Sequence, residues 1–203
     1  MRHWIFHDRA RAWITWLPIA VSLVFASALA VPPNARAQVD IDERISKSIR
    51  DLKSKNAQVR TGAADDLGNG ASPGSPVHDR EQTRKAIPAL MEALKDTDLS
   101  VRRSAAFALG NIPGDMRVAV PALVGALQDK EESVREEAVR SLGNICQSPE
   151  LAVPALVGEL HRNNTRSDAM NALIKFGPAA RPAVPALIAM LNERDSDLPW
   201  YSA

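Results

Sequence analysis

The apolar residues along most of the chain recur at the spacing of an amphipathic helix, in two alternating kinds of segment. The first kind has apolar residues at positions i, i+3, i+4 and i+7, namely Ile87, Leu90, Met91 and Leu94. The second kind has a similar spacing, namely Val101, Ala105, Ala108, Leu109 and Ile112. Because this period places the apolar side chains on one helical face, both kinds of segment are predicted to be helices.

The two segments form an internal repeat. The string Ala-(Ile/Val)-Pro-Ala-Leu occurs four times, with successive prolines 33, 33 and 31 residues apart, at Pro88, Pro121, Pro154 and Pro185. A second string, Val-Arg-x-x-Ala-x-x-x-Leu-Gly-Asn, spans residues 59–69, 101–111 and 134–144, and residues 165–175 carry a degenerate copy. Since one helix pair cannot bury its own apolar face, neighbouring pairs are expected to stack into an α-solenoid.

Glycine and proline give more detailed expectations for these helices. We expect Gly68, Gly110 and Gly143 to lie near the ends of the second helices, where glycine is common. We expect each repeated proline to kink the middle of a first helix. Asp115, and Ser148 followed by Pro149, are predicted to start the next first helices.

Residues 1–37 have the pattern of a secretory signal peptide. A start containing three arginines precedes an apolar run over residues 13–31, which is followed by two prolines and by Ala35-Arg36-Ala37. We expect cleavage after Ala37, a repeat domain over residues 38–203, and a periplasmic or secreted location. The apolar run is close to the length of a membrane span, so an uncleaved anchor is the alternative.

The repeats resemble HEAT repeats, specifically the HEAT-like repeats of the phycobilisome-lyase type. The resemblance rests on the proline, on an acidic residue eight positions later, and on an arginine fourteen positions later. It covers about residues 39–198. It implies an all-α fold, a right-handed α-solenoid of about four and a half HEAT-like helix pairs. The first repeat departs from the pattern with Ser46 in place of proline, and the fourth has Arg162 in place of the acidic residue.

The resemblance also implies a role for the recurring charges. In the family this arginine and aspartate hydrogen-bond between adjacent repeats, so a structural ladder of Asp96, Arg102, Asp129 and Arg135 is expected. The alternative is an anion-binding row of arginines, which would be a functional site.

Composition and charge restrict the function. Hydrophobic residues make up 45% of the chain and aromatic residues 4%, which suits packed helices better than sheets. The formal net charge of +1 is no sign of nucleic-acid binding. The single cysteine excludes an internal disulfide framework.

The sequence predicts no catalytic, cofactor-binding or metal-binding residues. It contains no dinucleotide, phosphate-binding or serine-nucleophile motif. His78 and His161 are too far apart in the repeat array to form a metal centre. Cys146 has no histidine near it in sequence and is expected to be a buried or half-buried, inert thiol, with an intermolecular disulfide as the alternative. A non-enzymatic protein is therefore expected, with no cofactor. The alternative is a HEAT-like repeat lyase acting on a bilin–protein pair, although export would separate such an enzyme from its substrate.

A partner is expected where the repeats differ, on the polar positions of the second helices. These positions form three equivalent sets: Thr61, Arg103, Glu136 and Ser167; Gly62, Ser104, Glu137 and Asp168; and Asp65, Phe107, Arg140 and Asn171. The candidates for partner binding are Arg103, Phe107, Glu136, Arg140 and Asn171. In HEAT-like arrays the second helices line the concave face, and the mixed charges favour a protein or peptide over a nucleic acid. The sequence therefore predicts an interaction scaffold, with a self-assembling array as a further alternative.

Phe107 has two interpretations. Its ring either leans onto a neighbouring repeat or anchors a bound protein segment.

Two other regions of the chain also have alternative interpretations. Residues 70–82 form an insertion, which is either a tolerated surface loop or a binding loop. The C-terminal Leu198, Trp200 and Tyr201 either cap the last repeat or recruit another chain.

Overall fold

The computed structural model describes residues 33–70 and 83–196. The chain divides into two compact units between Asp42 and Glu43. The described part of the first unit is helical, and the repeat array lies in the second unit. Over the described residues there are nine α-helices, one 3-10 helix and no strand. The helices are α1 (Pro33–Asp51), α2 (Ala57–Gly70), α3 (Ile87–Ala93), α4 (Leu99–Asn111), α5 (Val120–Ala126), α6 (Glu132–Ile145), α7 (Pro149–Glu159), α8 (Arg166–Phe176), the 3-10 helix (Gly177–Ala183) and α9 (Val184–Ser196).

The helices form pairs that stack in chain order, which confirms the predicted repeat architecture. Each of α3, α5 and α7 packs against the second helix that follows it, and the second helices α2, α4, α6 and α8 pack on one another in succession. The apolar residues that define the second-helix pattern form the core. Val101, Ala105, Ala108 and Leu109 are fully buried, as are Val134 and Ala138 one repeat later.

The prediction of a recurring proline kink is wrong for three of the four prolines. Pro88, Pro121 and Pro185 are the second residues of α3, α5 and α9. A proline in the first helical turn interrupts nothing, because the backbone N–H that it lacks would have no partner within the helix. Pro154 alone of the four lies inside its helix, α7.

Gly68, Gly110 and Gly143 lie within the last three residues of their helices, as predicted, but they are packing residues and not C-caps. The C-cap residues of α4 and α6 are Ile112 and Cys146. A Cβ atom placed on Gly110 would lie 2.7 Å from Cβ of Ser141, and one placed on Gly143 would lie 2.7 Å from Cβ of Ala172. Glycine is required here because successive second helices approach each other more closely than a methyl group permits.

The predicted helix starts are correct in one case. Ser148 is the N-cap residue of α7, and Pro149 is its first residue. Asp115 starts no helix, since α5 begins at Val120. Its carboxylate instead accepts a hydrogen bond from the backbone N–H of Arg117 within the preceding loop, at 3.2 Å.

The close packing of second helices ends at α8. The position that is glycine in α2, α4 and α6 is Ile174 in α8, and this residue is 73% exposed. Met170 is also exposed, although the equivalent Ala106 and Val139 are fully buried beneath the following repeat. An isoleucine at the glycine position prevents another second helix from packing at the same distance.

Several predictions fall outside the described residues. They are those for residues 1–32 of the signal segment, for residues 71–82 of the insertion with His78, and for the C-terminal Leu198, Trp200 and Tyr201. Ala35–Ala37, at the predicted cleavage site, lie in α1. Within residues 33–70 and 83–196, no helix has both the length and the hydropathy needed to cross a bilayer.

Candidate functional site

An arginine ladder joins the first three repeats. Arg60 of α2 forms a bidentate ion pair with Asp96, with Nε–Oδ2 and Nη2–Oδ1 distances of 2.6 and 2.8 Å. Arg102 of α4 pairs in the same way with Asp129, at 2.6 and 3.0 Å. Each of these arginines therefore binds the aspartate of the following repeat. Asp96 pairs with Arg60 and not with Arg102 of its own repeat.

The remaining nitrogen of each ladder arginine is fixed to backbone carbonyls. Nη1 of Arg102 donates to the carbonyl oxygens of Asp96 and Thr97, at 2.8 and 3.1 Å. Nη1 of Arg60 donates to those of Ser54 and Lys55, at 2.8 and 3.2 Å. One guanidinium thus ties the loop of its own repeat to the loop of the next.

The ladder stops at Arg135, which corrects the expectation for this residue. Its Nη1 makes the usual bonds to the carbonyl oxygens of Asp129 and Lys130, at 2.8 and 3.0 Å. Within the described part of the chain it pairs with no carboxylate, because Arg162 occupies the position of the next aspartate. Arg135 therefore forms no bridge to the fourth repeat.

Pairing lowers the pKa of both ladder aspartates. The hydrogen bond from Arg60 lowers the pKa of Asp96 and outweighs the opposing effect of burial. For Asp129 burial acts to raise the pKa, but the hydrogen bonds from Arg102 and from the backbone N–H of Glu131 outweigh it. Both carboxylates are therefore ionised at neutral pH.

A second group of charges lies on the second helices of the third and fourth repeats and is centred on Arg140. Its guanidinium contacts Glu136 at 3.2 Å, Glu137 at 3.0 Å and Asp168 at 3.1 Å. The first two carboxylates lie on α6 with Arg140, and the third lies on α8. Burial raises the pKa of Glu137, although Arg140 and Arg103 act against it. The cluster orders side chains across two repeats.

The comparisons with known proteins bear on these repeats. The family pattern of HEAT repeats matches residues 87–164, and that of a HEAT-like repeat matches residues 57–112. Residues 57–164 therefore match HEAT or HEAT-like repeat patterns, in agreement with the repeat fold. Comparison with curated proteins gives no match.

Solved structures support the same α-solenoid fold for this protein. It is similar to the complex of CpcE and CpcF of phycocyanin lyase from Nostoc sp. PCC7120, with 29% identity, a TM-score of 0.57, and coverage of 70% of this chain and 56% of that chain. An engineered protein has 27% identity and a TM-score of 0.57, with coverage of 71% and 67%. A designed armadillo repeat protein in complex with a (KR)4 peptide has 24% identity and a TM-score of 0.60, with coverage of 84% of both chains.

The HEAT-repeat array places the predicted partner-binding residues in different environments. Arg103 and Asn171 are exposed, and Glu136 is partly exposed. Arg140 is 46% exposed and is bonded to the three carboxylates. Phe107 is half-buried, with its ring against Gly68: a Cβ atom on that glycine would lie 2.8 Å from Cδ1 of the ring. The ring therefore leans on the neighbouring repeat, as the first of its two interpretations states.

At two of the varied positions of the second helices, the structure differs from what the sequence indicated. Ser104 belongs to the sets of varied positions but is buried, so it contributes nothing to an accessible surface. Asp168 was in those sets but was not singled out, although it connects α8 to Arg140. We use the term polar face for Arg103, Phe107, Glu136, Glu137, Arg140, Asp168 and Asn171.

The expectation that Cys146 is buried or half-buried is wrong, because this residue is exposed at the C-terminus of α6. Its Sγ–H donates to the carbonyl oxygen of Gly143 at 2.8 Å. Although the residue as a whole is exposed, its sulfur is partly shielded from water, and this partial burial raises the pKa of the thiol in spite of the opposing charge of Lys175. A thiol with a raised pKa is a poor nucleophile at neutral pH.

The fourth repeat also contains a buried polar pair that sequence reasoning missed. The hydroxyl of Thr165 donates to Oε2 of Glu159 at 2.8 Å, and both residues are almost completely buried. The equivalent residues are Ala93 and Val101 in the second repeat. The only signal in the sequence was the simultaneous replacement of two apolar residues by polar ones. This bond gives the buried carboxylate a neutral partner in addition to its ion pair with Arg162, at 3.6 Å.

Proposed function

We propose that this protein is a non-enzymatic interaction scaffold that binds another protein or a peptide on the polar face. The observation that carries the proposal is the Arg140 cluster, which orders polar side chains on the exposed surface of two repeats. The ladder arginines differ, because they also bond to the backbone carbonyls of loops. A preordered polar surface on packed helices binds with a smaller loss of side-chain entropy than a mobile surface.

The charges of the polar face favour a protein partner. The face carries two arginines and three carboxylates. Such a mixture repels a polyanion on one part and attracts it on another, whereas a protein segment can match both signs. The solved relatives are consistent with this role. One is a designed armadillo repeat protein in complex with a (KR)4 peptide, and another is the complex of CpcE with CpcF. We further propose that the second helices line the concave side of the array.

We also propose that residues 1–37 are a signal peptide and that the mature protein is periplasmic or secreted. The support is the basic start, the apolar run and the Ala35-Arg36-Ala37 site. Intact mass measurement of the protein from the periplasmic or culture fraction should give a chain beginning at Gln38. A chain that retains residues 1–37 in the membrane fraction contradicts the proposal.

The alternative function is a lyase acting on a bilin–protein pair. It is favoured by the similarity to one chain of the CpcE–CpcF complex of phycocyanin lyase, and this protein covers 56% of that chain. Incubation with a free bilin and an apo-phycobiliprotein, followed by absorbance and by denaturing electrophoresis, separates the alternatives. Covalent attachment of the pigment supports the lyase, and its absence supports the scaffold.

A pulldown with charge variants tests the proposed scaffold. The bait carries Arg103→Glu, and the matched control carries Lys53→Glu, which changes the charge equally at an exposed residue outside the polar face. We expect the partner to be recovered by the wild type and by the control but not by Arg103→Glu. Equal recovery by all three, with circular dichroism showing that each is folded, contradicts binding at the polar face.

A further inference from the structure

The third ladder arginine is held in the same way as the first two but has a free hydrogen-bonding edge. In Arg60 and Arg102, Nη1 binds two backbone carbonyls, while Nε and Nη2 bind one aspartate. Nη1 of Arg135 also binds two carbonyls, so the guanidinium is fixed to the loop of its own repeat. The Nε and Nη2 atoms make no hydrogen bond within the described residues, and Nε is buried.

The cause lies in the fourth repeat. The backbone N–H of Asp96, of Asp129 and of Arg162 each bonds to the carbonyl oxygen three residues earlier, at 3.2, 3.0 and 3.1 Å. The three residues therefore occupy the same place at the end of a first helix. Arg162 supplies no carboxylate there, and its own side chain pairs with Glu159 at 3.6 Å.

We propose that the free edge of Arg135 binds a carboxylate from another molecule, in the geometry that Arg102 uses for Asp129. A fixed guanidinium edge with two parallel N–H groups matches the two oxygens of a carboxylate. Nε is buried, so the incoming carboxylate has to displace the side-chain atoms that cover it, and in return it satisfies an N–H that lacks an acceptor within the described residues. Within the proposed scaffold function, on which this biological role rests, the carboxylate belongs to an Asp or Glu side chain or to the C-terminus of a bound protein.

NMR of the arginine Nε–Hε groups tests the site with small probes on the full chain. Sodium acetate is added against sodium chloride at equal ionic strength, and Arg135→Lys identifies the Arg135 signal by its loss. We expect the Hε resonance of Arg135 to shift saturably with acetate, while those of Arg60 and Arg102 stay in place because their edges are already occupied. An unchanged Arg135 signal, or equal shifts of all three signals, overturns the proposal. If sodium phosphate reproduces the shift at a lower concentration than acetate, the proposed preference of the Arg135 site for carboxylate is overturned.

Two peptides distinguish the sources of the carboxylate. One is acetyl-Gly-Asp-Gly-amide, whose carboxylate is a side chain, and the other is acetyl-Gly-Gly-Gly with a free C-terminus. We expect at least one of them to reproduce the acetate shift, and the tighter one identifies the source. A response to neither peptide overturns the assignment to a protein carboxylate.

A pair of variants at Arg162 provides the structural control. Arg162→Asp places a carboxylate at the ladder position, where its high effective concentration should weaken the apparent acetate affinity of Arg135 by about tenfold or more. Arg162→Asn removes the same positive charge without adding a carboxylate and should retain the response. Equal responses of the two variants contradict the assignment of the free edge. This titration requires no partner protein, so it can fail or succeed independently of the pulldown.

Discussion

Replacing Arg102 with alanine should destabilise the protein much more than the same change at Arg135. Both side chains donate to two backbone carbonyls. Arg102 in addition holds Asp129, and the two side chains are 7% and 11% exposed. Breaking a buried ion pair by removing one partner costs about 3–5 kcal/mol, because the other charge stays buried. We expect about 3 kcal/mol for Arg102→Ala, the lower end of that range, because Asp129 keeps the hydrogen bond from the backbone N–H of Glu131.

Arg135→Ala is the matched control, since it removes a similar side chain and similar backbone bonds but no carboxylate pair. Net contributions of single hydrogen bonds are about 1 kcal/mol, so the two lost bonds cost about 2 kcal/mol. Removal of the buried, unpaired Nε offsets about 1 kcal/mol of this, so we expect a net loss of about 1 kcal/mol. The assay is urea unfolding followed by far-ultraviolet circular dichroism at pH 7. A double variant of Arg102 and Asp129 should show a coupling of about 2 kcal/mol. Equal losses for the two arginine variants, within about 0.5 kcal/mol, would refute the ladder as an energetic link between repeats.

Three further predictions follow from packing, titration and the chain end. Gly110→Ala should lower the free energy of unfolding by about 1–3 kcal/mol, because the new methyl group meets Ser141 of α6. The control is Gly125→Ala, where the methyl group enters open space and should be neutral or stabilising by up to about 1 kcal/mol. Urea unfolding measures both. The pKa values of Asp96 and Asp129 are lowered on folding from 3.8, so their contribution to stability should be complete above about pH 5 and should be lost as the pH falls through the lower folded values. Melting curves from pH 7 to pH 3 check this, and the Arg102→Ala variant should show a weaker dependence than wild type; an equally steep one contradicts it. Truncation after Asp197 should lower the melting temperature of a monomer if the C-terminal segment is a cap. If light scattering shows that truncation abolishes a dimer and the melting temperature is unchanged, the cap is contradicted.

The repeat fold could be predicted because the relevant signal is periodic. Any two copies of Val-Arg-x-x-Ala-x-x-x-Leu-Gly-Asn define the register of the helices, and that register places the alanines and leucines in the core. The roles of proline and glycine were predicted less well, because the sequence does not give the distance between helices. Pro88 lies in the first helical turn, since the residues before it form a separate short turn. Gly143 allows contact with Ala172 on another helix, which local propensity does not indicate.

The polar face shows the same limit. The exposure of Arg103 follows from helical periodicity within one helix. The contact between Arg140 and Asp168 depends on the rotation of α8 relative to α6, which no local pattern determines. Predicting the free edge of Arg135 from the sequence requires two facts together. They are the presence of Arg162 at the aspartate position and the pairing of each arginine with the following repeat. The first is visible in the sequence, and the second came from the structure.

Site-specific photo-crosslinking tests the central claim most directly. A photoreactive amino acid is placed at Asn171 on the polar face or, as the control, at Gly125 on α5, which is exposed and has open space around it. The protein is irradiated in a whole-cell lysate of the host and in its culture medium, and the crosslinked products are analysed by mass spectrometry. A protein or peptide crosslinked at residue 171 and not at residue 125 is the predicted result. Crosslinks at residue 125 alone, or an identical set at both positions, would contradict a partner site on the polar face.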